Sequence, residues 1–294
     1  MKKKILLTGA TGLIGKEVTK GLVAAGYEVL ATDRVKNDTS PAQNFAVGDL
    51  ESAEFISQLD FQCDAVVHLG SIPTPTTDSD EKVFHNNVMG TYHVFASAVE
   101  NSVPLVIYAS SLSIYGTAWS GPWTSPKYVP VDESHPLHQF ESYALSKEVN
   151  ERSADMWANR SETAFVGLRF PLSDTESALS ELAKKMREGD KEGLQRGGRI
   201  LWGYLDLRDV VQGILTVLQV GAKGSKTYNF AAADTMAPKP TLEMLSEYHP
   251  TSEVVSPLSG YDSIIECSEW RAVYGYEPQY LLKRETTVDL SRND

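Results

Sequence analysis

The first half of the chain alternates short unbroken apolar runs with longer stretches of helical spacing. Ile5-Leu6-Leu7 reads as a buried strand. From Lys16 to Ala25, Val18, Leu22 and Val23 fall on one side of a helix, which Gly26 closes. Tyr27–Ala31, Ala65–Leu69 and Leu105–Ala109 read as further strands, and Asn86–Glu100 and Ser142–Trp157 as long helices. Strands alternating with helices predict an α/β fold, a Rossmann-type doubly wound parallel sheet with helices on both faces. The second half is less regular. Thr163–Arg169 and Lys226–Ala231 are strand candidates, and Ser177–Glu188 and Val210–Val220 helix candidates; proline and glycine become denser after Ala237. The expected division is a sheet domain over 1–170, with 201–231 packing back on it, and a small C-terminal α+β lobe from 171–200 and 232–294.

One turn in this pattern carries chemistry. Thr8-Gly9-Ala10-Thr11-Gly12-Leu13-Ile14-Gly15 follows the first strand and opens the first helix. Gly9 permits a tight turn, Gly12 lets backbone approach a pyrophosphate, and Gly15 lets helix and strand pack closely. The free N–H groups of the helix start, around Thr11, Leu13 and Ile14, suit phosphates. Asp33 ends the second strand, 18 residues after Gly15. A carboxylate there accepts both ribose hydroxyls of adenosine and repels a 2′-phosphate, so NAD is expected over NADP. Arg34, beside it, can stack on adenine or bind a 2′-phosphate, which keeps NADP as the less favoured alternative.

A second constellation lies downstream. Tyr143-Ala144-Leu145-Ser146-Lys147 places a phenol and an ammonium on one helical face. A lysine there is expected to stabilise tyrosinate and lower the phenol pKa, making Tyr143 a general base for a hydroxyl. Tyr108-Ala109-Ser110-Ser111-Leu112-Ser113 ends a buried strand in three serines within four residues, where the carboxyl ends of strands line a ligand crevice.

Together these segments resemble an extended short-chain dehydrogenase/reductase, the NAD-dependent epimerase/dehydratase family. The likeness also includes Gly48-Asp49-Leu50, Val67-His68-Leu69-Gly70, Asn86-Asn87-Val88-Met89-Gly90-Thr91, Leu205-Asp206-Leu207-Arg208-Asp209-Val210 and a closing Gly275-Tyr276-Glu277-Pro278. The resemblance implies Ser111, Tyr143 and Lys147 as the catalytic residues. It implies Asp49 and Leu50 against adenine, and Leu69, Gly70 and Ser71 beside the pyrophosphate and ribose. Ala109 and Ser110 fall on the cofactor side of the serine strand, and Lys147 on the nicotinamide ribose. Asn87 would brace the strand beside the cofactor, and Pro171 would lie near the carboxamide. Asp206, Arg208 and Asp209 would tie the lobes together. The two long helices, 86–100 and 142–157, would pair two subunits as a homodimer.

Which reaction follows depends on a few positions. Dehydratases of this type carry an Asp-Glu pair just after the catalytic hydroxyl residue, and decarboxylases keep a glutamate; here stand Leu112 and Ser113. Nucleotide-sugar epimerases show an asparagine after the Arg-Tyr-Phe stretch, contacting substrate phosphate; here Arg169-Phe170 is followed by Pro171. The first expectation is therefore a dehydrogenase of a free sugar, uronate or polyol. The alternative is a UDP-hexose-type epimerase with recycled NAD, and the third a non-catalytic dinucleotide sensor, against which the retained Ser111, Tyr143 and Lys147 weigh. Arg196 and Arg199 are candidates for a phosphate or carboxylate. Trp119 and Trp123 fall where a loop would cover the crevice, and His135 and His138, flanking Pro136, are candidates for a second acid/base role or, as the favoured reading, for the turn before the tyrosine helix.

Charge and composition narrow the partners. A net charge of −12 argues against nucleic acid. Cys63 and Cys267 have no metal-ligand neighbour at short spacing, so no metal is expected. Ile5-Leu6-Leu7 is cut at once by Thr8-Gly9, too short for a signal peptide, and no apolar run approaches the ~20 residues of a membrane span. A cytoplasmic protein acting on a small sugar or sugar acid is the expected whole.

Overall fold

The computed structural model describes residues 3–36 and 40–283; the last part of the expected lobe, 284–294, lies outside them. In chain order the elements are β1 (Lys4–Thr8), α1 (Leu13–Ala24), β2 (Glu28–Asp33), β3 (Asn44–Val47), α2 (Ala53–Gln58), β4 (Ala65–His68), α3 (Asp80–Glu100), β5 (Leu105–Ser111), β6 (Tyr128–Val129), α4 (Ser142–Ala158), β7 (Ala164–Phe170), β8 (Leu172–Asp174), α5 (Glu176–Arg187), α6 (Lys191–Arg199), β9 (Tyr204–Asp206), α7 (Leu207–Val220), β10 (Ser225–Asn229), α8 (Thr241–Tyr248), β11 (Glu253–Val254) and α9 (Ser268–Tyr274). Among the described residues seven strands form one sheet in the order β10-β7-β5-β4-β1-β2-β3. Every pairing in it is parallel. The order reverses between β1 and β4, which opens a crevice at their carboxyl ends.

Local chemistry explains the boundaries. Gly26, at φ +90°, closes α1: its N–H reaches Val23 O, and Tyr27 N–H reaches Leu22 O. Helix α1 begins at Leu13, three residues before the apolar pattern shows it, because Leu13-Ile14-Gly15 belongs to the turn motif as well as to the helix. Helix α3 begins six residues before Asn86. Its first turn is polar, with Ser79 as N-cap and Asp80 and Glu81 behind it, so apolar periodicity does not reveal it. Strand β3 is short and partly exposed, and has no apolar run to announce it.

Four buried clusters hold the described residues together, the smallest being Ile72, Val83 and Tyr143. One lies between the sheet and α1, α7 and α9, and includes Ile5, Leu7, Leu22, Val166, Ile214 and Trp270. The second fills the other face under α3 and α4, around Leu6, Val94, Phe95, Tyr108 and Phe165. The third, with Met186, Trp202, Tyr204, Met244 and Ile264, builds the lobe. Ile114, Tyr115, Val129 and Val131, from the segment after β5, pack into this third core. His68 is buried between Thr8 Oγ1 (2.7 Å) and Thr91 Oγ1 (2.9 Å), pinning β4 to β1 and α3. Burial, and then the charge of Lys147, hold its imidazole down at about 3, so it stays neutral. Among the described residues no helix is long and apolar enough to cross a membrane.

The Asp206-to-Asp209 segment ties the parts together. Asp206 caps α7 and pairs with Arg208 (2.8 Å), which also reaches Glu176 at the start of α5 (2.8 Å). Asp209 is fully buried and accepts from Tyr276 OH (2.6 Å), Gln279 N (2.8 Å) and Tyr280 N (3.0 Å). One carboxylate thus holds the chain after α9 against α7. Asp209→Ala is expected to cost roughly 1–3 kcal/mol, since it removes the shared acceptor of three part-buried donors; urea unfolding of the variant against the wild type measures it.

Candidate active site

A single cleft of about 970 Å³ runs across the carboxyl ends of the strands and under the lobe. Its first part is built from backbone. Gly9 sits at φ +72°, and a Cβ there would stand 2.6 Å from Gly70 N; one on Gly15 would stand 2.0 Å from Gly9 O. The turns after β1 and β4 therefore pass each other with no room for side chains. Gly12 is the N-cap of α1, makes no side-chain cap, and no acidic residue occupies the first turn. The N–H groups of that turn stay open to the cleft, as an anion site requires.

Asp33 is fixed at the tip of β2. Its Oδ2 accepts from Thr11 N (2.9 Å) and its Oδ1 from Arg34 N (2.7 Å), which turns the carboxylate toward the cleft that Asp33 and Arg34 both line. Asp49 and Leu50 line the neighbouring wall, as do Leu69, Gly70 and Ser71 after β4. Asn87 does not line the cleft. It is fully buried behind it, where its Oδ1 accepts from Ile72 N (2.8 Å) and its Nδ2 donates to Ile72 O (3.0 Å). It braces the segment that carries Ser71.

The other half of the cleft brings side chains together. Glu141 caps α4 by accepting from Tyr143 N and Ala144 N, which places Tyr143 in the first turn of the helix. Lys147 lies one turn on, its Nζ 5.4 Å from the Tyr143 ring centroid. That ammonium is almost wholly buried, and it donates to Ala109 O at the end of β5 (3.0 Å) and to Ser71 Oγ beyond β4 (3.2 Å). The three serines divide their roles. Ser110 donates its hydroxyl to Glu151, while Ser111 holds Ser113, accepting from its N–H (3.1 Å) and donating to its Oγ (3.0 Å). Ser111 and Ser113 both face the cleft, as do Ala109 and Pro171.

Burial dominates the titration of this pair. It pushes the Tyr143 phenol up to about 12, with the Ser111 hydroxyl pulling back and the Glu141 charge pushing further up. It also draws the Lys147 ammonium down to about 8, against the upward pull of Glu151. The expected lowering of the phenol by the lysine is therefore not a property of the protein alone. Desolvation of the buried phenol dominates it.

Behind the site lies a pair that spacing alone did not single out. Glu151, one further turn along α4, receives Arg169 through Nε (2.9 Å) and Nη2 (2.7 Å). Arg169 also donates to Tyr115 OH (2.7 Å), which donates to Asn229 Oδ1 (2.8 Å). The Lys147-to-Glu151 interval was the only hint in the sequence; the partner sits on β7, 18 residues on. His135 takes no part. Its ring is wedged between Lys127 N (3.0 Å) and Pro136 O (2.8 Å), and neither it nor His138 lines the cleft. The lobe wall carries Trp119, Glu192, Gln195, Arg196 and Arg199. Among the described residues no group of three or more His, Cys, Asp or Glu side chains could hold a metal ion.

The glycine cradle, the uncapped helix start and the fastened Asp33 fit a dinucleotide, and comparison with known proteins agrees. The model of the NAD dependent epimerase/dehydratase family matches residues 5–231. The chain belongs to this family. That family is NAD dependent, as the cradle and Asp33 lead one to expect. A UDP-glucose 4-epimerase of Lactobacillus helveticus is 27% identical over 176 residues, 57% of this chain and 51% of that protein, so the match spans about half of that relative. A short-chain dehydrogenase/reductase superfamily protein from Agrobacterium tumefaciens, solved with bound NAD, superposes with a TM-score of 0.71 at 22% identity, over 95% of this chain and 93% of that one. MoeE5, solved in complex with UDP-glucose and NAD, gives 0.70 at 22% identity, over 95% and 94%. At these identities the two structures establish the fold.

The buried ammonium makes a measurable prediction. Lys147 has a folded-state pKa near 8 against an ordinary 10.5. Below pH 8 the fold bears the full cost of burying the charge. Between the two values the unfolded chain binds the proton that the folded one has released, so this residue's contribution to stability rises with pH. Lys147→Met is expected to raise the melting temperature at pH 7, with the gap to wild type narrowing toward pH 10. Thermal unfolding at both pH values checks this; a wild type that melts higher at pH 7 would show that the bonds to Ala109 and Ser71 outweigh desolvation.

Proposed function

We propose that this family member is a nucleotide-sugar epimerase of the UDP-hexose type, one that keeps and recycles its NAD. The observation that carries the reading is the shared cleft. The dinucleotide cradle and the lobe wall open into one space, with Ser111, Tyr143 and Lys147 between them and no carboxylate at Leu112 or Ser113 to eliminate water. Epimerisation needs one acid–base group working in both directions, and that is what the site offers. The named relatives support the same reading, the UDP-glucose 4-epimerase and MoeE5 with UDP-glucose among them.

Bound NAD supplies a hydride acceptor that can also return the hydride. Tyr143, ionised, takes the proton from the sugar hydroxyl as that carbon becomes a ketone, and gives it back on return. Ser111 donates a hydrogen bond to the same oxygen. Lys147 holds positive charge beside the phenol and, through Ala109 O and Ser71 Oγ, fixes the two strand ends around it. When the keto sugar turns in the cleft before the return step, the hydrogen arrives on the other face and the centre inverts. Holding the reacting groups in one geometry supplies much of the rate.

A second reading, a dehydrogenase of a free sugar, uronate or polyol, rests on Pro171. It stands in the cleft wall and has no amide side chain to offer a substrate phosphate. Homodimerisation through the outer faces of α3 and α4 is also part of the proposal, since Tyr92 and Leu145 are exposed there. The two unpaired thiols, Cys63 and Cys267, suit a reducing, cytoplasmic setting.

Cofactor content and turnover test this together. The purified, desalted protein is expected to carry NAD and to interconvert UDP-glucose and its C4 epimer without net NADH. Tyr143→Phe is expected to lower turnover by roughly 10²–10⁴-fold while retaining the same NAD content. Stoichiometric NADH from a free uronate, with no epimer formed, would favour the dehydrogenase, and unchanged turnover in Tyr143→Phe would remove Tyr143 from the mechanism.

A further inference from the structure

We propose that Glu151 is a positioning residue for the chemistry of the cleft: paired with Arg169, it sets where the Ser111 hydroxyl stands against the Tyr143 phenol. The inference rests on the catalytic reading of Ser111 and Tyr143, but not on which reaction follows.

The two hydroxyls come from different elements. Ser111 ends β5, and Tyr143 lies in the first turn of α4. The Ser111 hydroxyl pulls the phenol pKa down, so that effect depends on how the end of β5 is docked on α4. Two fastenings precede Ser111. Ala109 O accepts from Lys147 Nζ (3.0 Å), and the Ser110 hydroxyl donates to Glu151 Oε1, one turn further along the same helix. A third fastening follows it. The short 3-10 turn Leu112–Tyr115 leads to Tyr115, whose hydroxyl accepts from Arg169 Nη1 (2.7 Å). Arg169 gives its other donors to Glu151, Nε to Oε1 (2.9 Å) and Nη2 to Oε2 (2.7 Å). Ser110 before the serine and Tyr115 after it thus both lead to one carboxylate.

Sheet register explains the meeting. Ser110 and Arg169 are partners across β5 and β7. Their side chains therefore leave the sheet on one face, the face of Tyr108 that α4 covers. Glu151, Arg169 and Tyr115 are all buried. Three donors on two oxygens suit a full carboxylate, whereas a glutamine would turn its own N–H groups toward a guanidinium that has no lone pair to offer. An apolar pair of the same volume would brace α4 on β7 as well, but it could not bond Ser110 and Tyr115. The network also ties the serine turn to the lobe. Tyr115 OH donates to Asn229 Oδ1 (2.8 Å), and Asn229 Nδ2 donates to Val131 O (3.0 Å) and Glu266 O (3.2 Å).

The test needs no substrate. Tyrosinate absorbance of the NAD-loaded protein is followed against pH, and the Tyr143 signal is the part that Tyr143→Phe removes in the same background. The charged groups facing the phenol are Lys147 and Glu141 on its own helix; Ser111 faces it from β5, and Ile72 and Val83 share its buried cluster. The paired variant Glu151→Gln/Arg169→Gln alters none of these and removes one charge of each sign, so the charge balance is kept while the bracket is lost. The Tyr143 titration is expected to move upward, leaving about tenfold less tyrosinate at a given pH, and kcat on UDP-glucose to fall with KM unchanged. A role confined to holding the fold would lower the melting temperature and leave the Tyr143 titration where wild type has it; that result overturns the proposal. Tyr115→Phe deletes only the hydroxyl link and keeps the ion pair. It is expected to give a smaller displacement in the same direction, and it decides the matter if the paired variant does not fold, since no displacement overturns the proposal. A wild type without any Tyr143 signal would overturn the catalytic reading and the proposal with it. A displaced titration in a protein whose wild type forms no epimer would remove the epimerase reading and leave the role of Glu151 standing.

Discussion

The site depends on one buried charge. Lys147 is an ammonium shut into a nearly dry position, where desolvation, partly offset by the Glu151 charge, brings its pKa down to about 8. It remains useful because the fold surrounds it with acceptors. Ala109 O and Ser71 Oγ come from the ends of two neighbouring strands, and the Glu151 carboxylate lies one turn further along the same helix. The arrangement fixes three things at once: the separation of the β4 and β5 ends, the rotation of α4, and the place of the Tyr143 ring. A buried lysine gains little stability from such a setting. Its presence is better explained by what it holds in place than by what it adds to folding.

The rest of the architecture prepares that position. The parallel sheet brings the carboxyl ends of β1, β4 and β5 to one edge, and the reversal of strand order opens the crevice there. Asn87 fastens the segment carrying Ser71 to α3, and the Arg169–Glu151 pair fastens α4 to β7. Through Tyr115 and Asn229 the same network continues toward the lobe. The face of α4 that carries Tyr143 and Lys147 is thus braced from behind by the Arg169–Glu151 ion pair. The cofactor side, by contrast, is shaped mostly by the absence of side chains at Gly9, Gly12 and Gly15.

Much of this was legible in the sequence where the signal is local. The glycine turn, the carboxylate at Asp33, the Tyr143–Lys147 spacing and the serines ending β5 each depend on residues close together in the chain, and all are brought to one cleft. What was not legible depends on tertiary distance or runs against local preference. The partnership of Glu151 with Arg169 joins a helix to a later strand. Helix α6 contains three glycines and no apolar stripe, so neither propensity nor periodicity predicts it; it forms because the missing side chains let it pack on Met186 and Trp202. The first turn of α3 is polar, and β3 is a short edge. The order of the two reaction readings also changed. Pro171 in place of an asparagine put a free-sugar dehydrogenase first, whereas the named relatives favour the epimerase, which a single missing amide side chain does not outweigh.

The central claim is that hydride leaves and returns within one bound complex, with Tyr143 handling the proton in both directions. The most direct measurement follows deuterium placed on C4 of UDP-glucose. The account predicts that the C4 epimer forms with the label still on C4, and that neither labelled NADH nor solvent carries it away. Label appearing in released NADH, with a keto product or none of the epimer, would contradict it.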